Sequence, residues 1–74
     1  MRLTYDADAD AAYIYLVDTI GGGEVARTAA SMLDLDQAFI SFDFDAGGKV
    51  LGVEILGASR VLAAETLRAA ERRP

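Results

Sequence analysis

Carboxylates stand at every second position in one short stretch of the chain, Asp6, Asp8 and Asp10. Carboxylates at that spacing are what the first three ligand positions of a calcium-binding EF-hand loop offer a hard cation. The rest of such a loop is missing, because Ala11 stands where a glycine must make the sharp turn and Val17 where a bidentate glutamate must close the shell. Asp side chains also bond their own downstream backbone, so a structural turn is favoured, and ion binding by Asp6, Asp8 and Asp10 stays an open alternative. Asp34, Asp36, Asp43 and Asp45 repeat the pattern and fit solvated strand or turn positions. The chain has no Cys and no His, which removes thiolate nucleophiles, imidazole acids and bases, disulfides, and zinc sites built from those ligands. Gly21-Gly22-Gly23 would cradle a phosphate only at the start of a helix with Lys and Ser or Thr behind it, and Glu24-Val25-Ala26-Arg27 follows instead. No catalytic, cofactor or metal residue is assigned, and the expectation is a protein that is not an enzyme.

These residues must be positioned by strands and one helix. Arg2 to Tyr5 fits a first strand that ends in the Asp-rich turn. Ala12 to Val17 is rich in β-branched and aromatic side chains, which predicts a second strand with Ala12, Ile14 and Leu16 on one face and Tyr13, Tyr15 and Val17 on the other. The glycine run then breaks regular structure, and Glu24 to Ala29 is expected to return as a third strand, making a hairpin with a flexible tip. Ala30 to Gln37 fits a helical turn and an extended edge equally well. In the clearest segment Ile40, Phe42 and Phe44 alternate with polar residues, Asp45-Ala46-Gly47-Gly48 supplies a turn, and Leu51, Val53 and Ile55 alternate again. A four-residue loop would place Phe44 opposite Lys49, Phe42 opposite Leu51 and Ile40 opposite Val53. Gly52, inside that strand, signals a bulge or close approach of another backbone. Ser59 is a candidate N-cap for a helix to about Arg72, where Ala63, Leu67 and Ala70 form a stripe with Leu62 and Thr66 beside it. The predicted class is α+β, a single domain over residues 1–74 with a small antiparallel sheet of about five strands and one C-terminal helix packed on it.

At 74 residues with 53% apolar content the chain can pack a core, but a core of this size seldom supplies more than about 3 to 5 kcal/mol. A homodimer is therefore expected, with Tyr13, Tyr15 and Val17 as candidate interface residues. Residues 1–58 carry three bases against ten acids, and residues 59–74 four arginines against two glutamates, so a −7 sheet region meets a +2 tail within a net charge of −5. Nucleic acid is disfavoured, since its binding rests on Lys and Arg neutralising phosphates; the acidic balance fits a basic partner and equally fits acids that only keep a small apolar domain soluble. Ala11 to Val17, the longest uncharged apolar stretch, falls far short of the ~18 residues of a membrane span, and the start of the chain lacks the pattern of a secretory signal. A cytoplasmic protein with no membrane contact is the expectation.

Leu3-Thr4-Tyr5-Asp6, Ala9-Asp10-Ala11-Ala12-Tyr13-Ile14-Tyr15-Leu16, Val25-Ala26-Arg27-Thr28 and Gly48-Lys49-Val50-Leu51-Gly52-Val53-Glu54-Ile55-Leu56-Gly57-Ala58-Ser59 together resemble the small bacterial family named domain of unknown function 2283. The departures are Ala7, where that family commonly has Pro, and a longer segment from Ala29 to Ala38. The resemblance implies a compact antiparallel sheet with a C-terminal helix and no catalytic residue to carry over. It also implies, through the toxin-like neighbours of some members, an antitoxin-like role. The functional expectation is a non-catalytic protein-binding module, an antitoxin-like partner of a small basic protein. The alternatives are a self-assembling structural domain and, least favoured, a small metal-dependent enzyme using the Asp clusters.

Overall fold

A computed structural model of the chain describes residues 1–31 and 38–72. Strands β1 (Arg2–Asp6), β2 (Ala11–Tyr15), β3 (Arg27–Ala30), β4 (Phe39–Phe44) and β5 (Val50–Leu56) are followed by helices α1 (Ala58–Val61) and α2 (Ala64–Ala69) and by β6 (Glu71–Arg72). One sheet results, in the order β3-β4-β5-β2-β1-β6, antiparallel except for the parallel β1–β6 pair. The expected α+β class holds, with six strands and two short helices in place of about five and one. Among the described residues no helix is long and apolar enough to cross a membrane.

β5 is the organising strand because its apolar residues have partners on both sides. Val53 and Ile55 lie opposite Ile14 and Ala12 on β2, and opposite Phe42 and Ile40 on β4. Directly opposed residues share a face. Leu3, Tyr5, Ala12, Ile14, Ile40, Val53 and Ile55 therefore line one side of the sheet, and Ala58, Leu62, Leu67 and Ala70 pack over it to close the core. The other side carries Thr4, Tyr13, Tyr15, Ser41, Asp43, Gly52 and Glu54.

Five sequence expectations change. The third strand does not form a hairpin with β2; it is shorter and pairs with β4 at the sheet edge, Thr28 opposite Asp43 and Ala29 opposite Phe42. The long loop of residues 16–26 turns only at its tip and does not hold β2 and β3 in register, so the place beside β2 goes to β5, whose Val53 and Ile55 pack there, while the exposed β3 takes the edge. Its tip is closed locally, with the Glu24 N–H donating to the Gly21 carbonyl at 3.2 Å. β2 ends at Tyr15, so Leu16 and Val17 lie beyond it, 42% and 36% exposed.

The β4–β5 register slides by two residues. The turn is one residue tighter than expected, a three-residue loop of Ala46 to Gly48 closed by the Asp45 N–H donating to the Lys49 carbonyl at 2.9 Å, so that Phe44 lies opposite Val50 and not Lys49; the Asp45 Oδ1 also accepts from the Gly47 and Lys49 N–H groups at 2.9 Å. A bulge between Asp43 and Phe44 then puts Phe42 opposite Val53 and Asp43 opposite Gly52, leaving Leu51 as the extra residue. A two-residue slide keeps every side chain on its face.

The single helix becomes two. In an unbroken helix Leu62 and Leu67, five positions apart, would stand about 140° apart around the axis. Extended backbone at Leu62 and Ala63 (ψ 141° and 148°) interrupts it, and both leucines reach the core. Packing overrides the helix propensity of the segment. Ser59 is not the N-cap; that position is Gly57, at φ 73°. Most of the Ala30 to Gln37 segment, with Asp34 and Asp36, lies outside the described residues.

Candidate functional site

Asp10 ties the two ends of the chain together. It sits at φ 51°, a left-handed conformation that Asp tolerates better than most residues, and this turns its carboxylate toward the end of β5. Oδ1 accepts from the Tyr5 hydroxyl at 2.6 Å and the Ser59 N–H at 3.0 Å, and Oδ2 from the Ser59 hydroxyl at 2.7 Å. Its backbone carbonyl accepts from the N–H groups of Gly57 and Ala58, both at 2.9 Å. The amides at the start of α1 are thus satisfied from the β1–β2 turn. The Tyr5 and Ser59 hydrogen bonds hold the Asp10 carboxyl below the usual range, and the same bond to Asp10 raises the Tyr5 phenol.

Tyr13 organises the opposite side of the sheet. A Cβ built on Gly52 would overlap the Tyr13 ring, so the missing side chain is what lets the ring lie across β5. From there the Tyr13 hydroxyl donates to Asp43 Oδ2 at 2.6 Å, while the Thr28 hydroxyl donates to Oδ1 at 2.6 Å. One carboxylate on β4 thus joins β2 to β3 over an intervening strand. The Tyr15 ring meets Tyr13 edge-on, centroids 4.8 Å apart, and the Arg2 guanidinium lies 4.1 Å from the Tyr15 centroid. Residues 16–26 pass over this face, and Ile20 and Val25 line an open pocket of about 300 Å³ with Tyr13, Tyr15 and Asp43.

Burial, then the hydrogen bond and charge of Asp43, push the Tyr13 phenol well above the ordinary tyrosine value. A raised folded value means stability that is complete below the unfolded value of about 10 and is lost as pH climbs through the folded one. The denaturant midpoint is therefore expected to fall above about pH 10, and Tyr13→Phe to fall less steeply. Superimposable alkaline limbs for the two proteins would contradict that role for Tyr13.

Asp6 and Asp45 serve turns. Asp6 Oδ1 accepts from the Asp8 and Ala9 N–H groups at 3.1 and 3.4 Å, and the Asp45 carboxylate holds the β4–β5 turn. Asp10 points away from Asp6 into its Tyr5 and Ser59 bonds, so the alternating run does not converge, and among the described residues no group of three or more such side chains could hold a metal ion. Tyr13 and Tyr15, two of the candidate interface residues, share the pocket; Val17 does not join them. It lines a separate open groove of about 790 Å³ between Met1, Arg2 and Leu3 and the Glu65, Thr66 and Ala69 side of α2. The Arg2–Glu71 ion pair at 3.7 Å there is solvent-exposed and adds little stability. Sequence reasoning missed Asp10 as a tie to Ser59 and Asp43 as the acceptor of Tyr13, since both contacts span long separations; Gly52 was the one local signal.

A mostly antiparallel sheet with one face packed under short helices and the other built around tyrosine–carboxylate contacts defines a small α+β domain. The family model "Protein of unknown function (DUF2283)" matches residues 2–59, and the chain belongs to that family. The match takes in β1 through β5 and ends on Ser59, so both the Asp10 and the Tyr13 contacts lie inside it. Comparison with curated proteins and with solved structures returned no match.

Proposed function

We propose that this protein is a non-catalytic protein-binding module whose partner is a small basic protein, held in the manner of an antitoxin. The observation that carries the reading is how the charge divides. The segment that follows β5 has more arginine than glutamate and covers the apolar face, whereas Asp43 and Glu54, with Arg2 against Tyr15 at the margin, stand on the face it leaves open. A surface of one sign steers a partner of the other and raises the rate of encounter. The use of Asp6, Asp10, Asp43 and Asp45 as hydrogen-bond acceptors within the fold supports a binding role over the metal-dependent alternative.

Self-association is the second reading, favoured by Phe39 and Leu56, which are opposed on neighbouring strands and 54% and 41% exposed. One experiment separates the two. The tagged chain is used to capture proteins from its own cells, and the complex is sedimented at salt from about 50 to 500 mM. A basic protein in stoichiometric amount, released as salt screens the attraction, is the expected result. Recovery of the chain alone as a homodimer would replace the first reading by the second, and a salt-insensitive complex would remove the electrostatic argument.

A further inference from the structure

The open pocket between the tyrosine pair and the loop of residues 16–26 combines features that recognise one kind of side chain. Two of its walls are aromatic, Tyr13 and Tyr15, two are aliphatic, Ile20 and Val25, and one is the Asp43 carboxylate. Its volume of about 300 Å³ lies at the low end for ligand sites and suits a single side chain better than a larger molecule. Tyr13 lies across Gly52 and the sheet backbone, and is held there by Asp43, so its ring is fixed before anything binds. Aromatic faces attract cations through the ring quadrupole, and a nearby carboxylate adds direct charge attraction.

We infer that this pocket is a receptor for an arginine side chain presented by the basic partner. The inference rests on the reading proposed above and names the anchor within it. Arginine fits better than lysine for two reasons. The planar guanidinium stacks on rings, as Arg2 of this chain already does against Tyr15 at 4.1 Å, and it offers paired N–H donors to a carboxylate. Each oxygen of Asp43 accepts one hydroxyl, from Tyr13 or Thr28, and an ionised carboxylate has about four acceptor sites, so capacity remains for two guanidinium N–H groups. Arg2 lies against Tyr15 but does not line the pocket.

The test is a titration of the full chain with N-acetyl-arginine amide followed by backbone amide NMR shifts, with N-acetyl-glutamine amide as the neutral control. Saturable shifts confined to Tyr13, Tyr15, Ile20, Val25, Asp43 and Gly52 are expected from the arginine probe alone. Asp43→Asn should weaken binding about tenfold, since it removes the charge while its oxygen still accepts from one hydroxyl and its amide N–H can donate to the other once that hydroxyl rotates. Tyr15→Leu should weaken it roughly threefold, whereas Tyr15→Phe, which keeps the ring, should bind as the parent does. Should Asp43→Asn fail to fold, the Leu and Phe pair at Tyr15 decides. Equal response to the glutamine control, shifts scattered over the surface, or identical affinity of the Leu and Phe variants would overturn the site. A basic partner that binds the Tyr15→Leu chain undiminished while the probe is silent removes this anchor and leaves the wider reading standing. A probe that saturates while no basic protein is captured does the reverse.

Discussion

Replacing Gly52 with alanine is expected to destabilise the protein by about 1 to 3 kcal/mol, the usual cost of overpacking, and to lower the melting temperature by roughly 5 to 20 °C in a domain of this size. The expectation runs against the ordinary rule for strands, in which glycine is the less stable residue by roughly 0.5 to 1 kcal/mol. Gly52 is buried in β5 and has no left-handed backbone requirement, so alanine is acceptable to the strand itself. What it meets is the Tyr13 ring. The ring can yield only by swinging off the sheet, which breaks its 2.6 Å bond to Asp43 and opens the contact with Tyr15.

A double-mutant cycle isolates that cause. In a Tyr13→Ala background the space above Gly52 is empty, and Gly52→Ala should change sign, becoming neutral or stabilising by about 0.5 kcal/mol. Thermal melts of the four proteins decide it. A Gly52→Ala penalty of the same size with and without the tyrosine ring would show that the clash is not its source.

The parts of the fold legible in the sequence are those set by neighbours along the chain. Ile40, Phe42 and Phe44, the Asp45 to Gly48 turn and the alternation through Val53 and Ile55 form a hairpin whose faces follow from period two, and the faces survive the bulge because the slide is even. Gly52 marked a close approach, although the approaching group is a side chain from β2 and not a backbone. What was not legible depends on separation. That β5 sits beside β2, with β3 at the edge, follows from which strand buries more apolar surface against Ile14, and no local signal encodes a comparison of that kind. The break at Leu62 and Ala63 is hidden because Leu62, Ala63, Ala64 and Glu65 are good helix formers, and it becomes necessary only once a flat core face demands both Leu62 and Leu67. The candidate site is illegible for the same reason: Tyr13 and Asp43 are 30 positions apart and Asp10 and Ser59 are 49, and each carboxylate had a sufficient local explanation as a turn residue.

The Asp10 contact carries the second large effect, and its variants separate two contributions. Asp10→Ala removes the acceptor for Tyr5 and Ser59 and also forces a Cβ-bearing residue with no local side-chain bond into φ 51°, where Gly is far more comfortable. Asp10→Gly loses the same acceptor and relieves the backbone. The expected order of melting temperatures is therefore parent above Asn, Asn above Gly, and Gly above Ala, because Asn tolerates the left-handed region and keeps one acceptor oxygen. The pH dependence follows from the depressed carboxyl of Asp10. A folded value below the unfolded one means that the unfolded chain binds the proton more readily, so this contribution is present above the unfolded value of about 4 and is lost as pH falls through the folded one. Denaturant midpoints measured from pH 6 down to pH 2 should fall in the parent and fall less in Asp10→Asn, which has no carboxyl to protonate. Because the bond partners include Ser59, Ser59→Ala should reproduce part of the neutral-pH loss while retaining an acid limb. An Asn variant whose acid limb superimposes on the parent's, or a Gly variant that melts with the parent, would show that the tie between the β1–β2 turn and α1 is a contact the fold does not depend on.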